Sequence, residues 1–398
     1  MKKWCVVFLV MIMMAFTGCG QNEIVEIEEY SISFEDYEND DSMMENEGED
    51  ISETPERENA VSDAEVVAEM KSMFGESCIA EQTFEVELSE YDGKVYVVPY
   101  APTEEEARFH IAIYQDGEVL ADLMEYLPEE LEGSTFTSLD AISFFDVNFD
   151  GCTDIVTVST YGDVSCAMIY YGFAKDADEY DRYFIYAYGL SEWISANLEN
   201  LTVSEIRSLV TRGKKNGEFT DYQEAYEARI HLCECENAGE MTYDLIYFDE
   251  DDVPELVAGV EGYRVSLYTY REGRLYTLIN DWTYGAGGNS GYEYAPKKNS
   301  LRNYNADFAG LLMYTMYMSV NEQLKMETTA LIETYNFEDA NGNGMPDEEE
   351  EASVGNYSVS YMDGVEVTSD EWASYDMGDY EFICGRMSRE EILSRLGQ

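Results

Sequence analysis

Apolar positions recur along this chain with two different periods. In "VSDAEVVAEMKSMF" the residues Val66, Val67, Met70 and Met73 fall at helical spacing, which predicts a short helix. Beyond it the period drops to two. "TFEVELSEYDGKVYVVPY" and "RFHIAIYQDGEVLADLM" alternate on either side of Asp92-Gly93 and Asp116-Gly117, dipeptides that favour tight turns, so each predicts a hairpin. A third pair is expected from "AISFFDV" and "DIVTVSTYG", with further strands in "AMIYYGF" and "RYFIYAYG".

Between about Leu190 and Glu236 the helical period returns. Thr202 with Glu205 and Thr220 with Gln223 have the spacing of capping boxes and predict helices on "VSEIRSLVT" and "DYQEAYEARIHLCE". Strands resume in "YDLIYF", "ELVAGV" and "VSLYTYREGRLYTLI". The segment "AGLLMYTMYMSVNEQLKMETTALIETYNF" is compatible with either period; its Thr and aromatic content favours paired strands around "NEQ". Two short helices are expected to close the chain, begun by Thr368 with Glu371 and by Ser388 with Glu391.

These elements predict an α+β protein, predominantly antiparallel β, with two β-rich lobes joined by a helical segment. The expected boundaries are 1–18 for a signal peptide, 19–60 for an acidic tether, 61–190 for the first lobe, 191–236 for the helical connector and 237–398 for the second lobe.

The N-terminus changes the picture of where the protein works. In "MKKWCVVFLVMIMMAFTGCG" a basic start precedes an apolar run, Trp4 to Phe16, too short to cross a bilayer comfortably, which is the pattern of an export signal. Residues 20–60 carry many carboxylates against a single basic residue, Arg57, and self-repulsion predicts an extended tether. The chain has 398 residues and a formal net charge of -61, from 84 acidic and 23 basic residues. Such a field repels phosphate backbones, so nucleic acid is not an expected partner, whereas cations are. Setting aside Cys5 and Cys19, six cysteines remain, Cys78, Cys152, Cys166, Cys233, Cys235 and Cys384, an even set that leaves buried thiols and one or two disulfides equally open.

Two loops carry candidate chemistry outright. A calcium ion needs six to eight oxygens in a small sphere, and a tight loop supplies them from alternate residues around a glycine. "DANGNGMPDEEE" meets this requirement with Asp339, Asn341, Asn343, Gly344 at the bend, the Met345 carbonyl, Asp347 and Glu350, the full EF-hand loop pattern. "FFDVNFDGCTDIVTV" supplies Asp146, Asn148, Asp150, Gly151, the Cys152 carbonyl and Asp154, but Thr157 stands where a bidentate glutamate would be, and strands flank it. A third, partial copy is "YFDEDDVPELVAG". There Tyr247 replaces the first aspartate and Asp252 the glycine, while Asp249, Asp251 and Glu255 keep ligand places.

On these residues, "DVNFDGCTD" resembles the calcium loops of FG-GAP and VCBS-type repeats, in which a DxNxDGxxD turn joins two β-strands. The likeness covers about fifteen residues, and the long spacing between loops argues against a complete regular propeller. "FTGC" resembles the lipobox of bacterial lipoproteins, with Phe16 in place of the usual Leu, which implies lipidation of Cys19 and a membrane partner. Together the lipobox, the tether and the three loops look like bacterial surface lipoproteins carrying such loops. That resemblance implies export, anchoring on the outer side of the cytoplasmic membrane or at the cell surface, and Ca2+; it implies no established activity.

Catalytic signatures are sparse. Only His110 and His231 offer imidazoles, each in a pattern typical of packing, and no nucleophile elbow, zinc-protease or Walker motif occurs. The expectation is therefore a lipid-anchored, calcium-binding surface module for a glycan or protein ligand. An extracellular glycan hydrolase with structural calcium is the alternative, because a carboxylate pair cannot be located from sequence.

Overall fold

The computed structural model describes residues 64–397 except 105–107, 129–130, 132, 174–183, 238–240, 285–290 and 348–356. The signal segment, Cys19, the tether and Glu350 lie outside the described residues. Among those described, no helix is long and apolar enough to cross a membrane.

Three four-stranded antiparallel meanders and one seven-stranded sheet make up the β structure. The first sheet holds β1 (Phe84–Glu87), β2 (Lys94–Tyr100), β3 (His110–Gln115) and β4 (Glu118–Met124) in sequence order, preceded by α1 (Ala64–Phe74). The second holds β5 (Phe136–Phe145), β6 (Asp154–Tyr161), β7 (Val164–Gly172) and β8 (Phe184–Tyr186). The third holds β9 (Thr242–Ile246), β10 (Glu255–Val260), β11 (Arg264–Arg271) and β12 (Arg274–Thr283). The fourth runs β18 (Val365–Val367), β17 (Val359–Met362), β16 (Met326–Tyr335), β15 (Leu312–Val320), β14 (Ser300–Asp307), β13 (Tyr292–Ala295) and β19 (Glu381–Phe382). The sheets do not close into a propeller, and the expected α+β, mainly antiparallel class with β-rich lobes holds.

Alternation in the sequence becomes layering in space. Ile155, Met168 and Tyr170 point to the first sheet and pack with Val97, Ile111 and Ile113. Their neighbours Val156, Val158, Ala167 and Ile169 point the other way, onto helices α2 (Tyr188–Asn197), α3 (Val203–Thr211) and α4 (Tyr222–Asn237). From α4, Tyr226, Ile230 and Cys233 then pack on Tyr243, Leu256, Ala258 and Tyr268 of the third sheet. That sheet's other face, including Val257, Leu267 and Ile279, meets Leu301 and Met318 of the fourth. Because α4 is wedged between two sheets, it is apolar on both sides, and its sequence lacks the single apolar stripe of a surface helix. Two short helices close the chain as expected, α5 (Ser369–Trp372) and α6 (Arg389–Leu396), each with its capping box formed.

Two local readings need adjustment. The cap of α4 is one residue later than the Thr220 and Gln223 spacing suggests: the Glu224 N–H donates to Asp221 Oδ1 (2.9 Å) and the Thr220 N–H to Glu224 Oε2 (2.8 Å), so Asp221 with Glu224 does the work. The helix α2 carries little propensity signal and is held by tertiary contacts. Its Ser191 and Ser195 hydroxyls each accept a backbone N–H, from Ile169 and Ala167 (3.0 Å both), taking the place of a neighbouring strand where β8 has ended. The six cysteines are free thiols, five of them buried.

Candidate functional site

Each of the two central meanders opens with a hairpin whose turn is one of the acidic loops. Residues 146–153 join β5 to β6, and 247–254 join β9 to β10. The last acidic residue of each loop, Asp154 or Glu255, is the first residue of the second strand and is fully buried. Burial follows from the frame. Asp154 accepts the Val147 N–H (2.6 Å) and the Gly172 N–H (2.9 Å); Glu255 accepts the Phe248 N–H (2.8 Å) and the Thr269 hydroxyl (3.1 Å).

The rest of the first loop is folded by its own side chains. Asp146 accepts from the N–H groups of Asp150 (3.1 Å) and Gly151 (3.0 Å), Asn148 from that of Asp150 (3.1 Å), and Asp150 from that of Cys152 (2.8 Å). Gly151 has φ +88°, which explains a glycine at the bend. The loop at 339–347 repeats this pattern residue for residue. Asp339 accepts from Asn343 (3.1 Å) and Gly344 (3.0 Å), Asn341 from Asn343 (2.9 Å), and Asn343 from Met345 (2.7 Å). It too follows a strand, β16, so an EF-hand-like sequence is entered from a sheet. In the 247–255 loop the middle of the pattern survives, with Asp249 accepting from Asp251 (3.0 Å) and Asp251 from Val253 (2.8 Å).

The loops differ in what faces their carboxylates. Oxygens of Asp249, Asp251 and Glu255 lie within 4.8 Å of one another, the only such acidic trio among the described residues. The Arg271 guanidinium sits among them, with Nη2 at 2.6 Å from Asp249 and 3.9 Å from Glu255 and Nη1 at 2.9 Å from Asp251. Strand register shows why the first loop has no counterpart. Ile155 pairs with Tyr170 and Leu256 with Tyr268, so the place of Arg271 is taken in the second sheet by Phe173. Among the described residues no Lys or Arg lies within ion-pair distance of Asp146, Asp150 or Asp154.

A further carboxylate comes from the first sheet. Glu90, in the β1–β2 turn, is 1% exposed, and neither oxygen makes a hydrogen bond of acceptable geometry. It lies against Gly172 and the Thr153 carbonyl: a Cβ on Gly172 would fall 1.9 Å from Glu90 Oε1 and 2.6 Å from Thr153 O, so only glycine fits. Burial, with the Asp150 charge adding, holds Glu90 up at about 7. The same two causes hold Asp146 up at about 6, and burial pushes Asp150 and Asp154 up as well. A buried carboxylate with no cation paired to it among the described residues, beside a loop rich in oxygen donors, is a set that suits a hard cation.

Asn216, in the turn before α4, joins the first loop to the third sheet. Its amide faces Asp146 Oδ2 (3.2 Å), Phe149 O (3.1 Å) and Leu275 O (3.2 Å), and its oxygen accepts the Leu275 N–H (2.9 Å). The Arg229 guanidinium on α4 reaches Asn148 O (3.4 Å). Glu90, Asn216 and Arg271 were not legible as site residues, since each reaches its loop from another hairpin, turn or strand. The histidines pack: His110 stacks on Tyr100 and faces Asp122 (3.1 Å), and His231 bonds Leu209 O (2.8 Å). Neither the known protein families nor the curated proteins include a match to this chain.

Proposed function

We propose that the protein is a lipid-anchored extracellular calcium-binding module, tethered through Cys19, in which Ca2+ plays a structural role and the folded part presents a surface for a glycan or protein ligand. The contrast between the loops carries this reading. The 249–255 trio has its own guanidinium, whereas Asp146, Asp150 and Asp154, with Glu90 behind them, gather negative charge that no Lys or Arg among the described residues meets within ion-pair distance. A cation held by Asp146, Asn148, Asp150, the Cys152 carbonyl and Asp154 would relieve that repulsion and pin the β5–β6 hairpin. The 339–347 loop, with the same frame, is the second candidate, and Glu350 would complete it. Calcium bound only to the folded state would raise stability by about 2.7 kcal/mol at a hundred times its dissociation constant. Thermal unfolding of the full chain in excess calcium and in chelator tests this: a melting temperature that rises with calcium supports the reading, and coincident curves refute it. Turnover of a polysaccharide panel would instead favour the glycan hydrolase.

A further inference from the structure

Basic side chains are few in this chain, 23 against 84 acidic, and four of them line one cleft. Arg207 on α3, Lys214 and Lys215 in the turn that follows, and Arg274 at the start of β12 surround a cavity of about 340 Å³ beside the 146–154 loop, which supplies part of its wall. Lys214 is engaged by Glu224 at 2.8 Å. The other three have no carboxylate within ion-pair distance among the described residues. Arg207 lies 4.4 Å over the Phe145 ring, and its Nε is buried without a hydrogen-bond partner. Asp146, the acidic residue lining the cleft, forms no ion pair with them among the described residues; its oxygens accept from Asp150, Gly151 and Asn216 instead.

With carboxylates so abundant, unpaired cations would ordinarily find partners; three held out of ion-pair distance from them at one concave place make a local concentration of positive charge against the field of the whole molecule. Oxyanions are bound by such guanidinium and ammonium donors through charge-assisted hydrogen bonds. The cavity is at the small end of the range for small-molecule sites, about 300–1,000 Å³. A long polyanion would set many charges against the field of the whole molecule, whereas a small ligand sets only one or two against it and places them beside the cleft's cations. We propose that this cleft binds a small ligand bearing one oxyanion group, a carboxylate, sulfate or phosphate, with Arg207, Lys215 and Arg274 as its donors and the Phe145 ring as an apolar wall. The site goes beyond the calcium reading and does not depend on it.

The experiment titrates inorganic phosphate, sulfate and glucuronate separately into the full chain at low ionic strength by calorimetry, with calcium and again with chelator. At least one probe is expected to saturate with a dissociation constant of about 1 mM or tighter. The K215E/R274E variant, whose altered side chains make no hydrogen bond or ion pair among the described residues, is expected to weaken that probe at least about tenfold. R274A alone, a truncation at an exposed position, should weaken it in the same direction. R274A should keep the melting temperature, and both variants should still melt higher with calcium than with chelator, so failure here is distinguishable from failure of the calcium reading. The probe that saturates identifies the oxyanion. If none saturates, or if the charge reversals leave affinity unchanged, the proposal is overturned.

Discussion

Replacing Arg271 by Met keeps most of the side-chain stem and removes the charge that faces three carboxylates. In the native protein the guanidinium is within 2.6 and 2.9 Å of Asp249 and Asp251 and 3.9 Å of the fully buried Glu255. Taking away one partner of a buried ion pair costs roughly 3–5 kcal/mol. Arg271 and Asp249 keep side-chain exposures of 26% and 28%, so solvent screens part of the loss and the low end, about 3 kcal/mol, is the expectation. In urea this moves the unfolding midpoint down by about 1 M if the slope is near 3 kcal/mol/M. The same substitution leaves an acidic trio with oxygens within 4.8 Å and no internal cation, a set suited to calcium. Calcium at a hundred times its dissociation constant would then restore about 2.7 kcal/mol, most of the loss. The assay is urea unfolding of the full-length wild type and R271M, each in chelator and in excess calcium. R271M should be less stable in chelator and should gain more from calcium than the wild type does. Equal calcium gains in the two proteins, or equal stability in chelator, would refute the idea that the arginine stands in for a metal ion.

Asn216→Ala should destabilise by about 1–3 kcal/mol, because the buried Leu275 N–H loses its acceptor, and should weaken calcium binding, because Asp146 loses a positioning contact. Calorimetric calcium titration alongside urea unfolding separates the two effects. Glu125 is buried, accepts the Phe109 N–H and the Tyr161 hydroxyl, and burial raises its pKa. A raised carboxyl costs nothing where both states are protonated, and the cost appears as pH climbs past about 4.3, where the unfolded chain ionises first. Glu125→Gln retains an acceptor oxygen and should therefore match the wild type at pH 3.5 and exceed it at pH 7; a larger advantage at the lower pH would contradict the assignment.

Much of the fold was legible from period and turn chemistry. The hairpins at Asp92-Gly93 and Asp116-Gly117, the paired strands around "NEQ", the N-cap at Thr202 and the capping boxes at Thr368 and Ser388 all lie where local pattern places them, because each rests on contacts between near neighbours in the chain. The helix α2 was not legible: its stabilising bonds run from Ser191 and Ser195 to β7, and nothing within "YGLSEWISAN" announces them.

The acidic loops divide along the same line. Alternate oxygens around Gly151 and Gly344 are a local code, and the sequence by itself determined three loops of one type and the hydrogen bonds that fold them. Whether a loop's charge is already answered from within was decided only by tertiary structure. Arg271 is sixteen residues beyond Glu255 and reaches it because β10 and β11 pair in register, while in the equivalent pairing Phe173 takes that place, no Lys or Arg among the described residues lies within ion-pair distance of Asp154, and the first sheet adds Glu90. Electrostatic energy depends on separation in space, and the separations that matter here were created by strand pairing and sheet stacking.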